Sequence, residues 1–453
     1  MSTRTENHGE PITAPRTHAQ ELKMLLTHGT PRIVVVGGGY VGMPLAVVAA
    51  QAHCDAIVLE VDPAKVAQIR EGRSYIRDVP SETLSELVQA GRLQATTDPA
   101  EAYEGADATL VCVPTPLSKT HDPDVSFVIN ALDAMIPHLR GSALVSLEST
   151  VYPGFTREVV VPKLEAAGFT PGDTIFVAFS PERVDPGNAR YHTKNTPKVL
   201  GGFTPSCLEV ANALYTRLVD RVVPVSTTDA AEMTKILENT FRAVNIGLVN
   251  EVAIMCHQLG IDTWEVIDAA ATKPFGFMPF FPGPGIGGHC IPIDPFYLSW
   301  KMRTLRYEAR FIALAGQVNT SMPGFVVNRL AEELNAKRMA VGGTKVLVVG
   351  VAYKPDVDDL RESPALEVIE YLHQRGADVS YVDPFVPKLE YDGISLSSLP
   401  ADVDPSLFEA AIIVTHHRGF DYERLVRSCP LVVDTRNVTR GLQPGEGTKL
   451  VRL

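Results

Sequence analysis

The chain lacks a CxxC pair. Its six cysteines, Cys54, Cys112, Cys207, Cys256, Cys290 and Cys429, are scattered over 453 residues. Neither a zinc site nor a thioredoxin-like redox pair is indicated, and the spread fits reduced thiols. The chain also lacks an apolar run of the ~18 residues needed to span a bilayer. Its opening stretch, MSTRTENHGEPITAPRTHAQ, has no apolar core of the kind a secretory signal needs. Residues 1–30 therefore read as a partly disordered tail, and the expected location is the cytoplasm. Positive charge is in deficit: 41 Lys and Arg stand against 53 Asp and Glu, a formal net charge of −12. Gripping a phosphate backbone needs a basic face, so a general nucleic-acid role is not expected.

The chain is too long for one core, which suggests two or three domains. Near its start, RIVVVGGGYVGMPLAVVAAQA opens on a short β-branched run, Ile33 to Val36, suited to a strand buried on both faces of a parallel sheet. Gly37, Gly39 and Gly42 then supply GxGxxG, a helix-like stretch follows, and AIVLEVD gives a second strand read as ending at Asp62. That is the setting a dinucleotide fingerprint requires. An acid at Asp62 would bond the ribose hydroxyls and repel a 2′-phosphate, so NAD is favoured over NADP. ATLVCVPTPL, SALVSLESTVYPG and TIFVAFSPERVDPG read as further buried strands. Ligands bind beyond the carboxyl ends of such strands, so Thr115 and Thr150 are placed for cofactor or catalytic contacts, or else cap loops or helices.

The last third repeats the first unit. KVLVVGVAYKPDVDD is followed by ADVSYVDP, ending at Asp383, then by AAIIVTHH and LVVDTRNV. Its turn keeps only Gly350, with Ala352 and Lys354 beyond it. The shape without the fingerprint suggests a different nucleotide-bearing ligand, or a purely structural domain. Between the repeats a long helix is expected from Thr227, capped by Asp229 and ended by Gly260. Lys235 and Asn239, four apart, share one face of it. Past the helix lies GPGIGGHCIPIDP, with Pro284, Pro292 and Pro295 and glycines at 283, 285, 287 and 288. Such a segment is neither an ordinary helix nor a central strand. It reads as a shaped loop around Cys290, with Asp294 four residues on. The loop alone leaves a packed thiol and a functional one equally open.

Together GGGYVG, VCVPTPL, ESTVYPG, FSPERVDPG, the Lys235/Asn239 helix, GGHCIPIDP and YKPDVDDLRESPA resemble the UDP-glucose/GDP-mannose dehydrogenase family, from about Arg32 to Val438. The run from Thr272 to Lys301 looks most like the UDP-N-acetylglucosamine 6-dehydrogenases. Ile293 and Pro186 depart from the UDP-glucose pattern. The resemblance implies an α/β fold: two Rossmann-like parallel-sheet domains joined by a long central helix and a helical domain. The expected boundaries are an NAD-binding domain at 31–226, a central helical domain with the cysteine loop at 227–330, and a UDP-sugar domain at 331–453.

The activity implied is four-electron oxidation of a sugar C6 alcohol to a carboxylate with NAD as cofactor. The implied substrate is a UDP-N-acetylhexosamine, best UDP-N-acetylglucosamine. UDP-N-acetylmannosamine, UDP-glucose and a non-catalytic nucleotide-sugar sensor are the alternatives. Carried over residue by residue, Cys290 is the nucleophile, and Lys235 and Asn239 stabilise the alkoxide and oxyanion. Asp294, with Thr150, handles water, and Glu182 is an acidic group near hydrolysis. Gly37, Gly39, Tyr40, Val41, Gly42, Asp62, Thr115, Thr150 and Arg361 fall to NAD. Arg183, Lys235, Asn239, Gly287, Lys354 and Arg436 fall to the UDP-sugar. No metal and no membrane partner are expected, and a homodimer or larger homo-oligomer is.

Overall fold

The computed structural model describes residues 17–118, 122–185, 188 and 190–453. Pro186 and the first half of the expected tail lie outside the described residues. The chain divides into two units, one up to Thr115 with Asp124–Lys235, the other Pro116–Pro123 with Ile236–Leu453.

The first unit is built on eight strands: β1 Arg32–Val36, β2 Asp55–Leu59, β3 Leu93–Thr96, β4 Ala108–Val111, β5 Ala143–Leu147, β6 Ile175–Phe179, β7 Lys198–Gly202 and β8 Val222–Val225. Their order in the sheet is β3-β2-β1-β4-β5-β6-β7-β8. All pairings are parallel except β6 with β7. Ile33, Val34 and Val35 are fully buried, as an unbroken β-branched run predicts for a strand covered on both faces. The order reverses between β1 and β4, and this opens the crevice at the carboxyl edge where such sheets take ligands. Within the expected tail, His18–His28 forms a helix started by a Thr17/Gln20 capping box. It is no loose end: Leu22 and Leu26 are buried in the core beside Leu214 and Leu218.

The second unit carries β9 Lys345–Val349, β10 Asp378–Val382, β11 Lys388–Tyr391, β12 Ile394–Ser397, β13 Ala410–Ile413, β14 Leu431–Asp434 and β15 Lys449–Arg452. Five of them form a parallel sheet in the order β10-β9-β13-β14-β15, and β11 pairs with β12. The switch point lies between β9 and β13, the counterpart of β1 and β4. The helix Arg310–Ala336 shares its core, since Val326, Val327 and Leu330 pack in one cluster with Val346 and Val348. The expected boundary at 330 falls inside this helix and inside this one core. Tyr297, fully buried, donates to Pro116 O at 3.1 Å and ties Pro116 to this unit.

The long helix spans Thr228–Leu259. Its cap is Thr227, whose hydroxyl accepts from Ala230 N at 3.1 Å, rather than Asp229, which pairs with Arg157. Gly260 closes the helix in the left-handed region at φ 69°.

Candidate active site

The glycine turn after β1 is dictated by close approach. Gly37 has φ 98°, and a Cβ there would lie 2.8 Å from Cys112 O at the end of β4. A Cβ on Gly42 would lie 1.9 Å from Gly37 O, so the helix Gly42–Gln51 could not start where it does. Above Gly39 a Cβ would meet nothing within 4 Å. That leaves open room at a helix N-terminus, which is what a pyrophosphate needs. NAD thus fits the turn, with Tyr40 exposed and Val41 leading into the helix. Thr115 follows β4 and Thr150 follows β5, both at the same carboxyl edge.

The acid at this turn is not the expected one. Asp62 caps the helix Pro63–Arg70, accepting from Ala64 N at 2.9 Å. Glu60, the first residue past β2, is buried and accepts from Gly38 N at 2.9 Å. The strand ends at Leu59, so the two residues beyond it carry Asp62 off the sheet. The first acid after the strand was the available signal.

The second unit repeats this geometry with different chemistry. Gly350 has φ 78°, and a Cβ there would lie 2.2 Å from Thr415 O, as Gly37 does against Cys112. Asp383, directly past β10, accepts from Val351 N at 2.7 Å, Ala352 N at 3.0 Å and His417 Nε2 at 2.9 Å. Burial works against its ionisation, but the His417 and backbone donors outweigh that and hold the carboxyl below its usual range. The turn's own amides are therefore taken by protein. Lys354 stands beyond β9, and Arg436 beyond β14 donates from Nε to Val414 O at 2.8 Å. Burial pushes Arg436 down to about 10.

The glycines of the cysteine loop answer to specific neighbours. A Cβ on Gly283 would lie 2.6 Å from Arg436 Nη1, one on Gly287 2.7 Å from Tyr353 Cβ, and one on Gly288 2.9 Å from the Tyr353 ring. Gly288 N donates to Arg361 O at 3.1 Å, and Gly283 N to Asn250 Oδ1 at 2.9 Å. The loop is thus laid against the Tyr353–Pro364 stretch. Arg361, expected at NAD, is engaged by Asp359 in a two-pronged ion pair closing to 2.6 Å. Cys290 is half-buried in the turn leading into the helix Asp294–Thr304, and its carbonyl accepts from Asp294 N at 2.8 Å. Asp294 is buried and accepts from Asn239 Nδ2 at 2.5 Å. Cys290, Asp294 and Asn239 are therefore brought together.

In the first unit, Glu182 turns its Oε1 back on Arg183 N at 2.7 Å and Val184 N at 2.9 Å. Its Oε2 lies 3.5 Å from Lys198 Nζ. Burial would raise its pKa. Lys198, the two amides and the Lys235 charge more than offset this, so it lies below the ordinary range. The Arg183 guanidinium donates to Pro197 O at 2.7 Å. Glu60, Glu148, Lys198 and Tyr353 are the site neighbours that sequence reading missed. Among the described residues, no group of three or more His, Cys, Asp or Glu is arranged to hold a metal ion, and no helix is long and apolar enough to cross a membrane.

Three family matches tile the chain. The UDP-glucose/GDP-mannose dehydrogenase NAD binding domain matches residues 31–219, the central domain 229–321 and the UDP binding domain 347–441. The UDP-N-acetyl-D-mannosamine dehydrogenase of Methanococcus maripaludis is 33% identical over 90% of this chain and 93% of its own. The UDP-N-acetyl-D-glucosamine 6-dehydrogenase of Pseudomonas aeruginosa is 34% identical over 78% and 83%. The solved UDP-N-acetylmannosamine dehydrogenase of Pyrococcus horikoshii superposes with a TM-score of 0.84 at 31% identity, covering 93% of this chain and 98% of that one. The chain belongs to the UDP-glucose/GDP-mannose dehydrogenase family and is an NAD-dependent UDP-sugar dehydrogenase.

Proposed function

We propose that the enzyme oxidises the C6 hydroxyl of a UDP-N-acetylhexosamine, with UDP-N-acetylglucosamine as first choice, to the uronic acid. The route runs through a thiohemiacetal and a thioester on Cys290. The observation that carries the reading is the buried bond from Asn239 to Asp294, with the Cys290 carbonyl capping the same turn. NAD, when bound, supplies the electron sink, accepting two electrons in each of two oxidations.

The chain's own residues do the rest. Lys235 and Asn239, one helical turn apart, offer a cation and an amide to the C6 oxygen as negative charge develops on it. The Cys290 sulfur adds to the aldehyde carbon, and the carbonyl oxygen takes up a proton. After the second oxidation the carbon is a thioester, and a water oriented by Asp294 with Thr150 adds to it. The C–S bond breaks, and the sulfur leaves as thiolate. Glu182, kept ionised, is the group suited to accept the proton that water gives up. Glu60 takes the ribose role expected of Asp62. Lys354 and Arg436, flanking the second switch point, bind the UDP, with Arg183 and Gly287 on the sugar side.

Leu237, Phe241, Leu248, Met255 and Leu259 are exposed along one helix at spacings of four and seven, and Phe311 and Leu314 are exposed near the start of the helix Arg310–Ala336. A second copy of this chain covering that stripe supports a homodimer, and light scattering at micromolar concentration checks it. The substrate is tested by a panel of UDP-N-acetylglucosamine, UDP-N-acetylmannosamine and UDP-glucose, followed by NADH formation and product mass. A higher specificity constant for UDP-glucose than for UDP-N-acetylglucosamine overturns the substrate reading.

A further inference from the structure

Behind Glu182 lies a buried charge cluster that no step above uses. Because β7 runs antiparallel to β6, its first residue, Lys198, arrives at the carboxyl edge of the sheet. There its Nζ lies 2.5 Å from Glu148 Oε2, 3.5 Å from Glu182 Oε2 and 3.4 Å from Pro181 O. Lys198 is 4% exposed and the Glu148 side chain 0%. Glu148, directly past β5, also accepts from Tyr215 OH, which shares a 2.8 Å bond with Ser146 Oγ. The charges of the same cluster act on the Cys112 thiol, just past β4, and the Lys235 charge on the long helix acts on Glu182.

A lone buried ammonium is costly unless paired, and so is a lone buried carboxylate. Here one buried cation, Lys198, lies against both acids, with the Lys235 charge a lesser influence on Glu182, and the two acids differ. Glu182 has two backbone donors and a partly exposed side chain, although its Oε2 is itself buried, whereas Glu148 is fully buried and accepts only from side chains among the described residues.

We propose that Lys198 is a positioning residue: fixed by Glu148 and Tyr215, it keeps the Glu182 carboxylate ionised and held at the carboxyl edge of the sheet, while Glu148 carries the proton that relieves the surplus negative charge. The proposal rests on the reading of Glu182 as an acid–base group. Electrostatics agree with the geometry. Burial pushes Glu148 up to about 7 despite Lys198. In Glu182 the opposing influence of burial is outweighed, by Lys198 first. As the pH falls from neutrality Glu148 is therefore the first of the two acids to take up a proton, and the charge stays on Glu182.

Two measurements test this. The first is the pH profile of kcat with the best UDP-sugar. In Lys198→Met the acid limb should move up by about one unit or more, with about a tenfold loss of kcat at pH 7 and KM values within about twofold. Lys198→Arg should restore the limb. Glu148→Gln should leave it within about half a unit, since a neutral amide then replaces an acid already protonated over that limb. A Lys198→Met enzyme with lowered Tm and an unmoved acid limb overturns the proposal. If Lys198→Met does not fold, the Lys198→Met/Glu148→Gln double variant removes the cation together with the buried acid it pairs with, and a limb at the wild-type position there overturns it equally.

The second measurement needs no turnover. An infrared difference titration, wild type minus Glu182→Gln, reads the carboxylate directly. It should be ionised at about pH 5 in the wild type and protonated there in Lys198→Met. Protonation in the wild type at that pH overturns the proposal. Absence of NADH with every UDP-sugar sinks only the functional reading.

Discussion

Asn239 and Asp294, 55 residues apart in the chain, meet in a hydrogen bond of 2.5 Å with both side chains buried. An amide that donates to a carboxylate fixes the carboxylate's orientation and favours its ionised form. Asp294→Asn keeps an oxygen for Asn239 to bond but removes the charge. It should fold with a Tm close to wild type and fail after the thioester has formed. Intact-mass analysis of the enzyme mixed with NAD and UDP-sugar should show an adduct on the Cys290 peptide. Asp294→Ala instead strands a buried amide and should lose roughly 1–3 kcal/mol of stability.

At the nucleotide turn, Glu60 and Asp62 are separable by experiment. Glu60→Ala should weaken NAD binding about tenfold, the worth of a charge-assisted hydrogen bond. Asp62→Ala removes a helix cap and should cost about 1 kcal/mol of stability with NAD affinity nearly unchanged. Titration calorimetry and thermal melts distinguish the two. Equal losses of affinity would return the ribose to Asp62.

Asp383 gives a pH dependence of defined sign. Its carboxyl lies below the usual range in the folded chain, so the stability it contributes is fully present above the unfolded value of about 3.9. That stability is lost as pH falls through the lower, folded value. Asp383→Asn should be less stable than wild type by roughly 2–4 kcal/mol at pH 7. The gap should narrow below about pH 4, as urea melts at the two pH values will show. A gap of constant size would mean that Asp383 acts through shape alone.

Gly288 tests the cysteine loop. Its φ is 91°, and a Cβ there would lie 2.9 Å from the Tyr353 ring, which leaves no room for alanine. Gly288→Ala should lower kcat by about tenfold or more, because a small displacement of the loop misplaces the thiol. NAD affinity should stay unchanged.

Strand runs, the glycine fingerprint and the repeat at the carboxyl end are local patterns, and they were legible in order and type. Legibility failed where a residue's role depends on where a strand stops. Val61 and Asp62 look like a continuation of β2, but the strand ends at Leu59, and the acid at the turn becomes Glu60. It failed again for contacts over long separations. Nothing in TPKVLGG announces that Lys198 reaches Glu148, 50 residues earlier, because that depends on β7 running antiparallel. The loop glycines were visible as unusual, but Tyr353 and Arg436, the side chains that require them, were not. The helix His18–His28 lay hidden in a polar stretch whose few leucines, Leu22 and Leu26 among them, fill the core.

The most direct test is Cys290→Ser, assayed with UDP-N-acetylglucosamine and NAD by NADH count per sugar. Serine nearly preserves the volume, so a thiol that only packed the loop would be replaced at little cost. A thiol that forms the thioester would not, since serine is far less nucleophilic at neutral pH. The unaltered enzyme should release two NADH per sugar. The variant should bind both ligands normally and lose steady-state turnover by roughly a thousandfold or more. Near-normal turnover by Cys290→Ser, still with two NADH per sugar, would contradict a covalent role for Cys290.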